Sequence, residues 1–386
     1  MRVWCPDPTI IRHMIATLLG GLSPRQFLQE YWQKKPLLVR QAIPGFTGVL
    51  DREQLFELAC DPDVESRWVR HDGDTWEVAH GPQRRSRLRG KRTPWTVLVQ
   101  GVNLWVPEAD RLLHSFDFIP QARLDDLMVS YAVDGGGVGP HFDHYDVFLL
   151  QGIGKRRWQI GDQKDHTLVE GAPLRILRHF HPTHDWVLEP GDMLYLPPHW
   201  AHNGIAVGEC MTYSIGFRTP TAQELGVGFL GWLQERICLE GVYADPDLAL
   251  QDNSALISES MVDKVTRMLQ AIEWNRETVA EFLGEYLTEP KPQVFFDPPA
   301  QPLPRRRFER AVAQHGFALD ARSILLFRNG RFFLNGEAID APATEHHALA
   351  GLAHHRRLAP TSPPSPALLA VLYDWYLAGF GHPQRV

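Results

Sequence analysis

Little in this chain of 386 residues commits it to a membrane, to secretion or to a polyanion. No apolar run approaches the ~20 residues that a bilayer-spanning helix needs, so no membrane partner is expected. The first residues lack the basic, apolar and small-residue order of a secretory leader, and none is expected. Cysteine is scarce: Cys5, Cys60, Cys210 and Cys238 are scattered, and no two form a CxxC pair. That spacing argues against a disulfide scaffold or a structural zinc site and suits a reducing cytoplasm. Positive charge is not in excess either. A net charge of −7 leaves no global footprint for nucleic acid, which is therefore not expected as a partner.

Tryptophan and proline are plentiful, at 12 and 30 residues, and point to many short, aromatic-packed elements as in an all-β core. The length exceeds one ordinary core, so two or three domains are expected. Residues 1–21 carry no clear signal and are expected to fray. Ser23-Pro24 reads as a helix N-cap followed by proline at the first helical position, and Lys34-Lys35-Pro36 as that helix's stop. Leu37–Arg40 reads as a strand and Asp51–Cys60 as a second short helix. From about 64 to 217 strand signals dominate. Arg84, Arg85, Arg87, Arg89, Lys91 and Arg92 form a basic cluster between two of these strands, a pattern that favours a solvated loop over a binding surface.

The chemistry concentrates in Gly137–Gln151, where His141-Phe142-Asp143 stands between a glycine-rich turn and an apolar run. This reads as the mouth of a strand, on which residues two apart point the same way. His141 and Asp143 then converge, giving two thirds of a facial metal triad that leaves open positions on an Fe(II). A later histidine should complete it. His199 follows Pro197-Pro198 and is expected at a solvent-facing corner. His202 opens the next strand and is the favoured third ligand. Gly152-Ile153-Gly154 reads as a hairpin turn into Lys155–Ile160. On that strand Arg156 shares the inward face of Trp158 and Ile160. A buried cation is costly without an anion, so Arg156 should clamp a carboxylate. His179, His181 and His184 fit a loop better than a second metal site.

Beyond Arg218 the signal becomes helical. Thr221 to Glu224 forms a capping box. Apolar stripes follow at Leu225/Phe229/Trp232/Leu233/Ile237, at Met261/Val265/Met268/Leu269/Ile272 and at Val279/Phe282/Leu283/Tyr286/Leu287. They must pack on each other or on a dimer partner. The proline-rich run 290–304 reads as a linker. A helix from Arg305, a hairpin turning at Asn329-Gly330 and two further helices then suggest a winged helix.

The chain thus reads as α+β: a double-stranded β-helix (jelly-roll or cupin barrel), a helical region and a winged helix, spanning 1–220, 221–290 and 301–386. Gly191, Pro197 and His202 keep the spacing of the second cupin motif, with His199 in place of its glycine. The runs Gly135–Gly161 and Glu189–Pro220 resemble the JmjC-type 2-oxoglutarate oxygenases, and most closely the bacterial ribosomal oxygenases. Phe27–Pro36 and Leu334–Asp340 extend the resemblance over nearly the whole chain. It implies Fe(II) on His141, Asp143 and His202, with 2-oxoglutarate and O2 as co-substrates. It also implies a distal carboxylate held by Arg156 and Ser130, with Asp134 as a contact for a substrate guanidinium. The implied substrate is an arginine of a large-subunit ribosomal protein, and the implied assembly a homodimer through the helical region. Thr212 departs from relatives that carry an amide near the metal. An acidic mouth, with Asp134 and Asp146, would suit a basic substrate loop. Two alternatives stay open: a JmjC hydroxylase or demethylase of another protein, and a non-catalytic metal cupin whose winged helix binds nucleic acid.

Overall fold

The computed structural model describes residues 17–384 apart from 74, 91, 92 and 361–363, so Cys5, Lys91, Arg92 and most of the segment expected to fray lie outside it. Residues 17–21 contradict that expectation, because Leu18 and Leu19 are buried in the main core. The chain divides into two compact units at Thr219/Pro220.

In the first unit α1 (Pro24–Glu30) starts where the sequence places it. Ser23 and Gln26 exchange hydrogen bonds as a capping box, and Pro24 needs no N–H at that position. β1 (Leu37–Val39) follows, then α2 (Arg52–Cys60), capped in the same way by Asp51 and Gln54. β2 (Ser66–Asp72), β3 (Thr75–His80), β4 (Trp95–Val99), α3 (Pro107–His114) and β5 (Leu124–Ala132) come next. Then come β6 (Val147–Gln151), β7 (Lys155–Gly161), β8 (His184–Leu188), β9 (Met193–Leu196), β10 (Ala201–Val207) and β11 (Cys210–Phe217). They form two antiparallel sheets, ordered β1-β9-β6-β11-β5-β4-β2-β3 and β10-β7-β8. Alternation sorts the large sheet's side chains. Phe148, Leu150, Tyr213 and Ile215 join the core beneath the N-terminal helices. Val147, Leu149, Leu194 and Leu196 instead pack on Trp158 and Ile160 of the small sheet.

This topology corrects the reading of 152–154. β6 pairs with β9 and β11, whereas β7 pairs with β8 and β10. Gly152-Ile153-Gly154 is therefore a corner that carries the chain from one sheet to the other. Gly154 (φ +67°) is required there, since a Cβ would meet the Glu209 carbonyl oxygen at 2.0 Å.

The second unit opens with three helices, α4 (Ala222–Gln234), α5 (Glu259–Leu269) and α6 (Arg276–Thr288). Next come α7 (Arg305–His315), β12 (Phe317–Leu319), β13 (Leu325–Arg328), β14 (Arg331–Leu334) and β15 (Glu337–Ile339), then α8 (His346–His355), β16 (Arg357–Leu358), α9 (Pro366–Leu377) and β17 (Gly381–Pro383). β13 and β14 are the expected hairpin, with Arg328 opposite Arg331. Phe229 and Trp232 of the first helical stripe pack edge-to-face with Phe282 of α6, and the Trp232 Nε1–H donates to Glu285. Ile237 and Ile272 fall beyond the helix ends.

Asp192 ties the edge strand β1 to the turn before β9. Its carboxylate accepts from the Gln41 N–H at 2.9 Å, the Glu189 N–H at 3.0 Å and Arg40 Nη1 at 2.6 Å. Burial opposes ionisation, but these donors outweigh it and hold the group below the usual carboxylate range. A lowered folded-state pKa stabilises above the unfolded value and is lost as pH falls through the folded one. Asp192→Asn should cost about 2 kcal/mol at neutral pH. Denaturant titrations between neutral and strongly acidic pH should show a shallower pH slope for the variant than for the parent.

Candidate metal centre

The chain from Gly135 to His141 runs beside β10. Gly135 N–H donates to the Ala206 carbonyl at 3.0 Å and Ala206 N–H to the Gly136 carbonyl at 2.9 Å. His141 and His202 then exchange both main-chain hydrogen bonds, at 2.9 and 2.7 Å. His141 is thus an isolated bridge residue, and Asp143 lies in the loop before β6, not on a strand. The convergence expected of the pair nevertheless holds. One ligand atom from each of His141, Asp143 and His202 lies within 4.8 Å of the others.

Both imidazoles are oriented by the main chain. His141 Nδ1 is 2.9 Å from the Gly139 carbonyl and His202 Nδ1 is 2.9 Å from the Trp200 carbonyl. A carbonyl can only accept, so Nδ1 carries the proton and Nε2 offers its lone pair. His202 Nε2 sits 3.6 Å from Asp143 Oδ2. Burial, with His141 beside it, pushes the His202 pKa down to about 4, which keeps that ring neutral and available as a ligand. His199 is exposed in the left-handed region at φ +66°, on the proline corner, and its ring meets His144 and His166 instead.

Arg156 faces inward as its phase required and is 4% exposed. Its Nε and Nη2 have no hydrogen-bond partner. These two N–H groups lie along one edge of the guanidinium, the edge that meets a carboxylate in two parallel bonds. On the large sheet Ser130, Thr212 and Gln151 stand in one cross-strand row, all buried. Thr212 Oγ1 donates to Gln151 Oε1 at 3.0 Å, and Gln151 Nε2 donates to the Met211 and Ile153 carbonyls. Sequence reasoning missed Gln151. A glutamine ending an apolar strand was the available signal, since a buried amide needs a partner on the same face.

One expectation fails. Asp146 is fully buried, accepting from the Tyr195 hydroxyl at 2.6 Å and Gln33 Nε2 at 2.9 Å, so it adds no acidity to the mouth. Imidazoles and Phe142, with Arg175 over its ring, lie beside the triad instead. Asp134 is exposed, and its carboxylate accepts from the Gly208 N–H at 2.7 Å. Gly208 lies just beyond the end of β10 opposite His202, so Asp134 is not gathered with the triad. Among the described residues, His179, His181 and His184 form no metal-binding group; His179 pairs with Asp165.

A JmjC domain matches residues 111–225 and a ROXA-like winged helix matches 271–382. The Ribosomal protein uL16 3-hydroxylase of Escherichia coli is 34% identical over 371 residues, covering 92% of this chain and 97% of the relative. The chain belongs to the JmjC-type bacterial ribosomal oxygenases. A Probable ribosomal oxygenase of Haemophilus influenzae is 35% identical over 81% of this chain and 76% of the relative. The solved structure of E. coli YcfD matches with a TM-score of 0.82 at 32% identity, covering 93% of this chain and 98% of that one. The same ribosomal oxygenase in complex with cobalt and 2-oxoglutarate matches at 0.80. Two imidazoles, a carboxylate and an orphaned guanidinium edge fit such a metal and co-substrate.

The triad predicts a clean contrast. His202→Ala should weaken Co(II) binding by more than the roughly 10–100-fold that outer contacts contribute. His199→Gly, which relieves a left-handed backbone, should leave it unchanged. Titration calorimetry under anaerobic conditions reads both, and equal losses would remove His202 from the ligand set.

Proposed function

We propose that this chain is an Fe(II)- and 2-oxoglutarate-dependent oxygenase that hydroxylates an arginine side chain of a large-subunit ribosomal protein, acting in the cytoplasm. The observation that carries the reading is the pairing of the His141/Asp143/His202 cluster with a buried Arg156 whose Nε–Nη2 edge is unpartnered. When bound, metal, O2 and 2-oxoglutarate supply the oxidation: the co-substrate loses carbon dioxide to become succinate, and one oxygen atom enters the substrate C–H bond. The chain's own residues bind and orient. His141, Asp143 and His202 hold the metal on one face and leave the other open. Arg156 takes the distal carboxylate, with the Ser130 hydroxyl from the facing sheet. Gln151 fixes the Thr212 hydroxyl beside them. The apolar packing of Trp158, Ile160, Leu194 and Leu196 excludes water from this interior. A non-catalytic metal cupin would give Arg156 no anion to justify its burial. The arginine specificity draws on the similarity to a uL16 hydroxylase over nearly all of both chains. The test is incubation of the Fe(II)-loaded protein with 2-oxoglutarate, O2 and an arginine-bearing ribosomal-protein peptide. One oxygen on one arginine, with matching succinate, is expected, and Arg156→Ala should raise the 2-oxoglutarate KM steeply. Succinate without a modified arginine would overturn the substrate assignment.

We also infer that the helical region dimerises, through a different face from the one the apolar stripe suggests. Phe229, Trp232 and Leu233 are spent on packing within the unit. Val227 and Leu230 of α4 remain 60% and 65% exposed, and Met261, Val262 and Leu269 of α5 are also exposed. Val227→Glu with Leu230→Glu should yield monomers in sedimentation velocity. A dimer unchanged by this pair would place the contact elsewhere.

A further inference from the structure

Two residues of the basic cluster, Arg84 and Arg87, line a cavity. Arg84, Ser86, Arg87, Gly90 and Thr93, in the connection between β3 and β4, border this cavity with the strands, and its volume is about 630 Å³, within the range of small-ligand sites. Cross-strand register lays out the floor. Arg70 stands opposite both Glu77 and Trp95, and Trp68 is its same-face neighbour on β2. Arg84, Ser86, Arg87 and Thr93 of the connection form the rim.

The charges of this cavity are not balanced. Its lining holds three guanidinium groups, Arg70, Arg84 and Arg87, against one carboxylate, Glu77. Glu77 is taken by Arg70 at 2.7 Å. Arg87 is held by neutral partners: its Cζ lies 5.2 Å from the Trp68 ring centroid, and Nη1 donates to Gln83 Oε1 at 3.3 Å. The Arg84 guanidinium has no carboxylate partner among the described residues. Arg85 has Glu53 and Glu57 and takes no part. The buried Trp68 indole N–H also lacks an acceptor. One guanidinium held over an indole face, a second on the rim without a carboxylate partner, and hydroxyls beside them make a ready anion site.

We propose that this cavity binds a phosphate group, carried either by an RNA backbone or by a free nucleotide. Arg84 and Arg87 supply the fork donors that suit phosphate oxygens. The site is independent of the oxygenase reading, because none of its residues belongs to the metal centre.

The test uses the full chain. Fluorescence anisotropy with a labelled single-stranded RNA oligomer and calorimetry with ADP are run on the parent, Arg84→Glu, Arg84→Lys and a control reversing Arg306 and Arg307. Arg84 is exposed, so its variants should fold, which circular dichroism verifies. RNA binding weakened about tenfold or more by Arg84→Glu, with a salt slope lowered by roughly 0.7 per lost contact, supports the site with RNA as its source. Saturable ADP binding lost in Arg84→Glu, without RNA competition, supports it with a nucleotide as its source. In both cases Arg84→Lys should retain part of the affinity. No binding of either probe, binding indifferent to Arg84→Glu, or loss in the Arg306/Arg307 control alone would overturn the proposal.

Discussion

The reciprocal main-chain hydrogen bonds between His141 and His202 are the constraint on which the rest depends. They join two segments far apart in the chain and set their register to the residue. A slip of one position would turn one imidazole away from the other. The same short stretches supply the Gly139 and Trp200 carbonyls that orient the rings. Register, tautomer and ligand direction are therefore decided together by backbone geometry, before any ion enters.

The barrel around this pair has an interior of two characters. One part is filled by Trp158, Ile160, Leu149, Leu194 and Leu196. The other holds Arg156, Ser130, Thr212 and Gln151, which could not be buried cheaply in an apolar core. The large-sheet trio satisfies itself in part through the Thr212–Gln151 bond. Arg156 does not, and its burial makes sense in the presence of an anion. The apolar part forms the wall, and the polar part leaves one guanidinium edge unpartnered.

Outside the barrel the surface near the metal centre is imidazole and aromatic. Asp146, which an acidic mouth would need, is instead a structural carboxylate. It takes the Tyr195 hydroxyl and the Gln33 amide, with Arg123 nearby, and so anchors the N-terminal segment to the barrel. Burial raises its pKa, and those donors oppose the shift.

Much of the site was legible in the sequence, because the signals that carry it are local. Two residues apart in extended chain share a side, so His141 and Asp143 could be paired without knowing where the strand began. Period-two alternation turned Arg156 inward, Asn329-Gly330 marked its hairpin, and Ser23 and Thr221 announced their helices by caps. What the sequence could not decide was which surfaces meet. Gly152–Gly154 looks the same whether the chain returns to its own sheet or crosses to another. The Phe229/Trp232/Leu233 stripe looks the same whether it meets α6 or a second subunit. Asp146 looks exposed until Tyr195 and Gln33 are brought to it. Partner choice rests on contacts between distant segments, whose pairing depends on closure of the whole barrel and on no single window of residues. The same reason left Gln151 unnoticed and placed Arg84 and Arg87 around a shared cavity that only the folded sheet creates.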